Sequence, residues 1–86
     1  MSPSLLRKVI LAELAEAPAE GLTQTGLLML VQQHAPKTAM ADLRDELAWL
    51  RDRTLAAFVA DEFDQGNLDA RTWTITTAGR LHLLKK

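Results

Sequence analysis

The chain has 86 residues, 48% of them hydrophobic and 24% charged, with a net charge of −1 and no cysteine. That suffices for one small domain around a single core and sets the chain apart from disordered sequences. Without cysteine there is no disulfide framework, thiolate nucleophile or zinc–thiolate site, and a pI near 6.1 lacks the basic surplus usual in proteins that neutralise phosphates. No apolar run approaches the ~20 residues needed to span a bilayer. The start Met-Ser-Pro-Ser-Leu-Leu lacks the basic region and cleavage site of a signal peptide, so a soluble, cytoplasmic protein is expected.

Residues 3–16 read as a first helix, with Ser2 as its cap and Pro3 in the first helical position. Leu6, Val9, Ile10 and Leu14 recur at helical spacing, with Leu5 and Leu11 beside them. Pro18 ends this helix and Ala19-Glu20-Gly21 turns the chain. A second helix is predicted from Gln24 to His34, capped by Thr23, with Leu22 stapled to Leu27 and an inward stripe of Leu27, Leu30 and Val31. Pro36 stops it. The third helix, Thr38 to Arg53 with Thr38 as cap, is the clearest amphipathic segment. Met40, Leu43, Leu47 and Leu50 form its buried seam. Its acidic residues sit early and its arginines late, the order that the helix dipole favours.

Beyond Leu55 the period changes. Ala56 to Phe63 is short enough for a strand, Asp64 to Asp69 is rich in turn formers, and Arg71 to Thr76 alternates strictly, with Trp73 and Ile75 on one side. Thr77 would then cap a short helix, Ala78 to Lys85, returning Leu81 and Leu84 (or Leu83) to the core. The order helix, helix, helix, strand, turn, strand, helix is that of a winged helix-turn-helix. It implies an α+β, mostly helical domain over residues 1–86, with a three-helix core, a two-stranded β-hairpin wing and a short C-terminal helix.

The pattern Leu47-x-x-Leu50, then Leu55, a hairpin and Trp73-Thr-Ile75-Thr76-Thr-Ala-Gly79-Arg80 resembles the second half of many winged-helix regulators. There an aromatic, an aliphatic residue, a Thr and a Gly three residues later lead from the wing into a last helix. Two stretches, Leu22-Thr-Gln-Thr-Gly-Leu27-Leu28 and Asp42-Leu43-Arg44-Asp45-Glu46-Leu47-Ala48-Trp49-Leu50, look like a family of small winged-helix proteins from Mu-like phages and prophages. The likeness runs from Leu6 to Leu83, and its motifs are short and largely structural. Members are often described as transcription-regulator-like, and the resemblance implies no established activity. At one position the chain departs from the pattern: the Gly usual before the Leu of the first wing strand is Thr54, which argues against a left-handed turn there.

Docked on double-stranded DNA in the usual way, such a domain puts the first half of helix 3 into the major groove and its hairpin tip against the backbone. The outward positions are then Thr38, Ala41, Asp42, Arg44, Asp45 and Ala48. Arg44 suits a bidentate contact with guanine, and Lys37 and Thr38 suit phosphates. The wing adds Asn67 and Arg71, set against Asp61, Glu62, Asp64 and Asp69. In the simpler reading Asp42 and Asp45 only stabilise the helix start, Gly66-Asn67 is turn chemistry, and Lys85-Lys86 keeps the terminus soluble.

Trp49 points about 140° from the centre of the core seam at ~100° per residue. With Leu28 and Met29 it is either a flank of the core or a face for a homodimer or protein partner. His34 and His82 are lone histidines without a second ligand at metal spacing. No Ser–His–Asp set, Gly-rich phosphate loop or zinc-protease motif occurs, so no catalytic residue, metal, cofactor or small-molecule substrate is expected. The reading is a non-catalytic DNA-binding module, with a protein-interaction or homodimerisation module as the alternative.

Overall fold

Each helix begins where a short polar side chain can take up an unpaired amide. In the computed structural model, which describes residues 2–60, Phe63, Gly66 and residues 70–85, Ser2 Oγ accepts from Leu5 N at 3.3 Å and opens α1, Pro3–Glu16. Thr23 Oγ1 accepts from Gly26 N at 3.1 Å and opens α2, Gln24–Gln32. These two caps satisfy amides that no intrahelical carbonyl can reach. Helix α2 stops two residues short of His34 because Gln33 and His34 already lie in the turn toward α3.

The cap of α3, Met40–Asp52, is displaced by one residue from the sequence expectation. Ala39 occupies the cap position, and Asp42 Oδ2 accepts its N–H at 3.1 Å. Thr38 turns inward and is 9% exposed. Its amide donates to Ala35 O and its carbonyl accepts from Gln32 Nε2 at 2.9 Å, so it belongs to the connector.

Two residues predicted as lead-in to helix 2 form a strand instead. β1, Leu22–Thr23, pairs with β3, Thr72–Ile75, which also pairs with β2, Ala56–Val59. The sheet is antiparallel in the order β1-β3-β2, so the expected two-stranded hairpin is a three-stranded sheet. The cause is a close approach. Gly21, at φ 87°, brings its backbone so near to Trp73 O that a Cβ would sit 2.4 Å from it. β2 and β3 are also shorter than their sequence patterns. The turn expected over residues 64–69 lies outside the described residues, apart from Gly66.

The core is built from one face of each element. Ile10, Leu11 and Leu14 of α1, Leu27 and Val31 of α2, and Leu43, Leu47 and Leu50 of α3 are almost fully enclosed. Each leucine enclosed in this way contributes roughly 1.5–3 kcal/mol of transfer free energy. Trp73, 3% exposed, closes the open side, with Phe58 directly across the strand pair at 5.1 Å between ring centroids. No described helix is long and apolar enough to cross a membrane.

The end of α3 overturns another expectation. Thr54 does adopt the left-handed region, at φ 59°. Leu55 N donates to Leu50 O and Thr54 N to Arg51 O, both at 2.9 Å, the paired bonds that close a helix around a left-handed residue. Leu50 and Leu55 are both buried, so the apolar contact that usually accompanies those bonds offsets the cost of a β-branched residue there.

Helix α4, Thr77–Leu84, is capped by Thr76 rather than Thr77. Thr76 Oγ1 accepts from Gly79 N at 3.0 Å and donates to Thr54 O at 2.6 Å. Gly79 is buried so closely against this corner that a Cβ would lie 2.1 Å from Leu55 O. Because Gly79 faces inward, Leu83, one turn later, is the leucine that packs on the core. Leu81 and Leu84, expected inside, are 58% and 78% exposed.

Gly79→Ala is therefore expected to lower stability by about 1–3 kcal/mol in urea unfolding, whereas Gly66→Ala, with nothing within 4 Å of the new Cβ, stays within about 0.5 kcal/mol of wild type. Thr54→Gly removes a left-handed cost of roughly 1–2 kcal/mol against a chain-entropy loss of roughly 0.5–1. It should raise stability by up to about 1 kcal/mol. A fall would mean that the bond from Thr54 Oγ1 to Arg53 O (2.6 Å) outweighs the strain.

Candidate nucleic-acid interface

Helix α3 presents Ala41, Asp42, Arg44, Asp45 and Ala48 outward, as its period predicts. Thr38 does not join them. Buried in the connector, it cannot hold a phosphate as proposed from the sequence, while Lys37 beside it is exposed. Arg44 Nε donates to Gln24 Oε1 at 3.0 Å, and Gln24 is 3% exposed at the first position of α2. A buried amide oxygen is costly to leave unpaired, so this bond ties α3 to the start of α2 and fixes where Arg44 leaves the surface.

The neighbouring ground is acidic. A groove of about 530 Å³ runs between the start of α1, the α2–α3 connector and the first half of α3, edged by Asp42, Asp45 and Glu46 against Lys37 and His34. Asp42 is engaged at the helix start, as its simpler reading requires. His34 Nε2 lies 2.9 Å from Glu13 Oε1, which latches the end of α2 to α1.

The residues expected from the sequence on a wing divide. Asn67 lies outside the described residues. Arg71 is half-buried at the base of β3, with its guanidinium carbon 4.2 Å from the Phe58 ring centroid. Its Nε is enclosed without a hydrogen-bond partner among the described residues. Arg71 thus acts first as a cover for Phe58.

Of the three residues singled out for a partner face, Leu28 and Trp49 are half-buried against the core, and Met29 is 64% exposed. The orientation of Trp49 has a specific cause. The guanidinium carbons of Arg7 and Arg53 lie 3.8 and 3.9 Å from its ring centroid, and Arg7 Nε also donates to Glu46 Oε2. The indole packs against the edge of the core and carries a guanidinium stack over its ring as well.

That contact opens onto a second groove, of about 390 Å³, between α1, α3 and α4. Arg7 and Lys8 come from α1 and Trp49 from α3, while His82 and Lys85 come from α4 and its C-cap. From the sequence, Lys85 reads only as keeping the terminus soluble and His82 as a lone histidine. Residues 7–8 and 82–85 stand more than seventy positions apart in the chain, so no local period joins them, and only the misplaced Trp49 signalled the spot. No protein-family model, curated protein or solved structure matches the chain.

A double-mutant cycle of Arg7→Ala and Trp49→Ala, followed by urea unfolding, should give a coupling energy of about 1 kcal/mol, typical of a partly desolvated cation–π pair. A coupling near zero would make the stacking incidental.

Proposed function

We propose that this chain is a winged helix-turn-helix domain acting as a non-catalytic DNA-binding module of the transcription-regulator-like kind. The observation that supports it is the order α1-β1-α2-α3-β2-β3-α4 with the sheet order β1-β3-β2, which leaves the Ala41–Arg44–Ala48 face of α3 uncovered. On that face Arg44 stands between two alanines at i−3 and i+4. Small neighbours let a groove wall approach while the arginine reaches a guanine edge. Lys37 supplies a phosphate contact at the helix entrance. Asp42 and Asp45 repel the backbone on either side, so affinity is modest, and with few phosphates neutralised it falls with salt at a shallow slope. A phage or prophage origin rests on the residue likeness of positions 22–28 and 42–50 alone.

The second reading, a protein-interaction or homodimerisation module, has in its favour the exposed Met29 on α2. Sedimentation velocity that finds only monomer across a wide concentration range would remove its homodimer form.

Fluorescence anisotropy with short duplex DNA at low salt should show binding that weakens as salt rises. Arg44→Ala should cost about 1–3 kcal/mol of that binding, and Asp45→Asn should strengthen it. An absence of binding at low salt would overturn the DNA reading.

A further inference from the structure

We propose that the groove between α1, the C-terminal half of α3 and α4 is a second site, which holds the phosphodiester backbone of a nucleic acid. It goes beyond the reading of α3 as a groove-entering helix. Trp49 lies about 140° around α3 from Arg44 at ~100° per residue, so the two surfaces cannot share one contact.

Charge carries the first part of the case. The chain holds ten Lys and Arg against eleven Asp and Glu. Yet Arg7, Lys8 and Lys85 converge on this groove, and Arg53 stacks on Trp49 in its wall. No carboxylate lines it among the described residues, and neither Lys8 nor Lys85 pairs with one. Glu46 balances Arg7 alone. A concave surface of one sign focuses its field on an incoming polyanion, whatever the net charge of the molecule. The helix dipole explains Arg53 at the end of α3. It does not explain Lys8, which sits in the middle of α1.

Preorganisation is the second part. Stacking on Trp49 fixes the guanidiniums of Arg7 and Arg53, and the bond to Glu46 orients Arg7 further. The entropy of ordering two long side chains is then met in folding rather than in binding. Fixed arginines beside two exposed lysines suit a repeating string of phosphates better than one small anion, which would need donors converging on a single point.

The lining also argues against a lipid surface. Leu83 faces the groove, whereas Leu81 and Leu84, about 60° apart on α4 at ~100° per residue, are exposed and lie outside the lining.

The test follows the two indole N–H signals by heteronuclear NMR of the full chain. Short duplex and single-stranded oligonucleotides, inorganic phosphate and phosphatidylserine vesicles are each added at low salt. An oligonucleotide should shift the Trp49 indole and the amides of Lys8 and Lys85, and added salt should reverse the shift. The double variant Lys8→Ala/Lys85→Ala alters only exposed side chains. It should abolish the Trp49 shift and lower the salt slope of binding by about one for each lysine. Arg44→Ala should leave the shift in place. If shifts are confined to the exposed face of α3, the groove proposal fails and the α3 reading stands. If the Trp49 shift persists in Arg44→Ala while binding by the α3 face is absent, the α3 reading fails and the groove stands. Equal shifts with inorganic phosphate, shifts with vesicles alone, or no shift with any probe would each overturn the assignment.

Discussion

The hydroxyl of Thr76 bonds in two directions, and the direction of α4 depends on it. It donates to the carbonyl of Thr54, the left-handed residue that closes α3, and accepts the amide of Gly79, the buried residue in the first turn of α4. Thr76 N completes the corner by donating to Leu55 O at 3.2 Å. The end of α3, the end of β3 and the start of α4 therefore meet at one point where every exchanged polar group is paired. A side chain at residue 79 would drive the helix away from Leu55 and misdirect it. With Gly79 seated, α4 runs back along α1. Arg80 comes near the Ala15 carbonyl, while Leu83 and Lys85 lie beside Lys8 and Leu11. The cationic groove exists because of that antiparallel return.

Charge is the second organising term. A net charge of −1 suggests an electrically bland molecule, but acids and bases are sorted by face. Asp42, Asp45 and Glu46 edge one groove; Arg7, Lys8 and Lys85 edge the other. Glu46, which lines the acidic groove, is also the partner of Arg7. Trp49 sits on the cationic side for the same reason. A guanidinium stacked on an indole is attracted by the ring quadrupole and stays closer to its hydration shell than one placed in an aliphatic core. An aromatic that breaks the apolar seam of α3 is thus accommodated at the edge of the core.

Several particulars of the fold were legible beforehand. Ser2 and Pro3 start α1, Thr23 caps α2, and the Met40–Leu43–Leu47–Leu50 seam faces inward, because caps and helical periods are local properties. The alternation around Trp73 likewise marks β3. Two-residue β1 was not legible, since no period exists in two residues and its pairing depends on β3, fifty positions later. Thr54 misled for a related reason. Its intrinsic reluctance to turn left is real, but two backbone bonds and the burial of Leu50 and Leu55 outweigh it. Thr38 looked like a cap, and Leu81 and Leu84 looked like core. Thr38 is taken up by the connector one residue before the helix start, and inward-facing Gly79 turns Leu83, the alternative to Leu84, onto the core.

The amino-acid sequence by itself determined the helices, the β3 pattern, the absence of thiol chemistry and the outward run Ala41–Arg44–Ala48, all of which depend on neighbours within a few positions. Only the tertiary structure decided which cations meet. Residues 7, 8 and 85 are brought to one groove by helix packing and by the corner at Thr76, with Arg53 stacked on the Trp49 ring beside it. Charge has no sequence period, so its convergence in space becomes visible only once the core has set the direction of every helix.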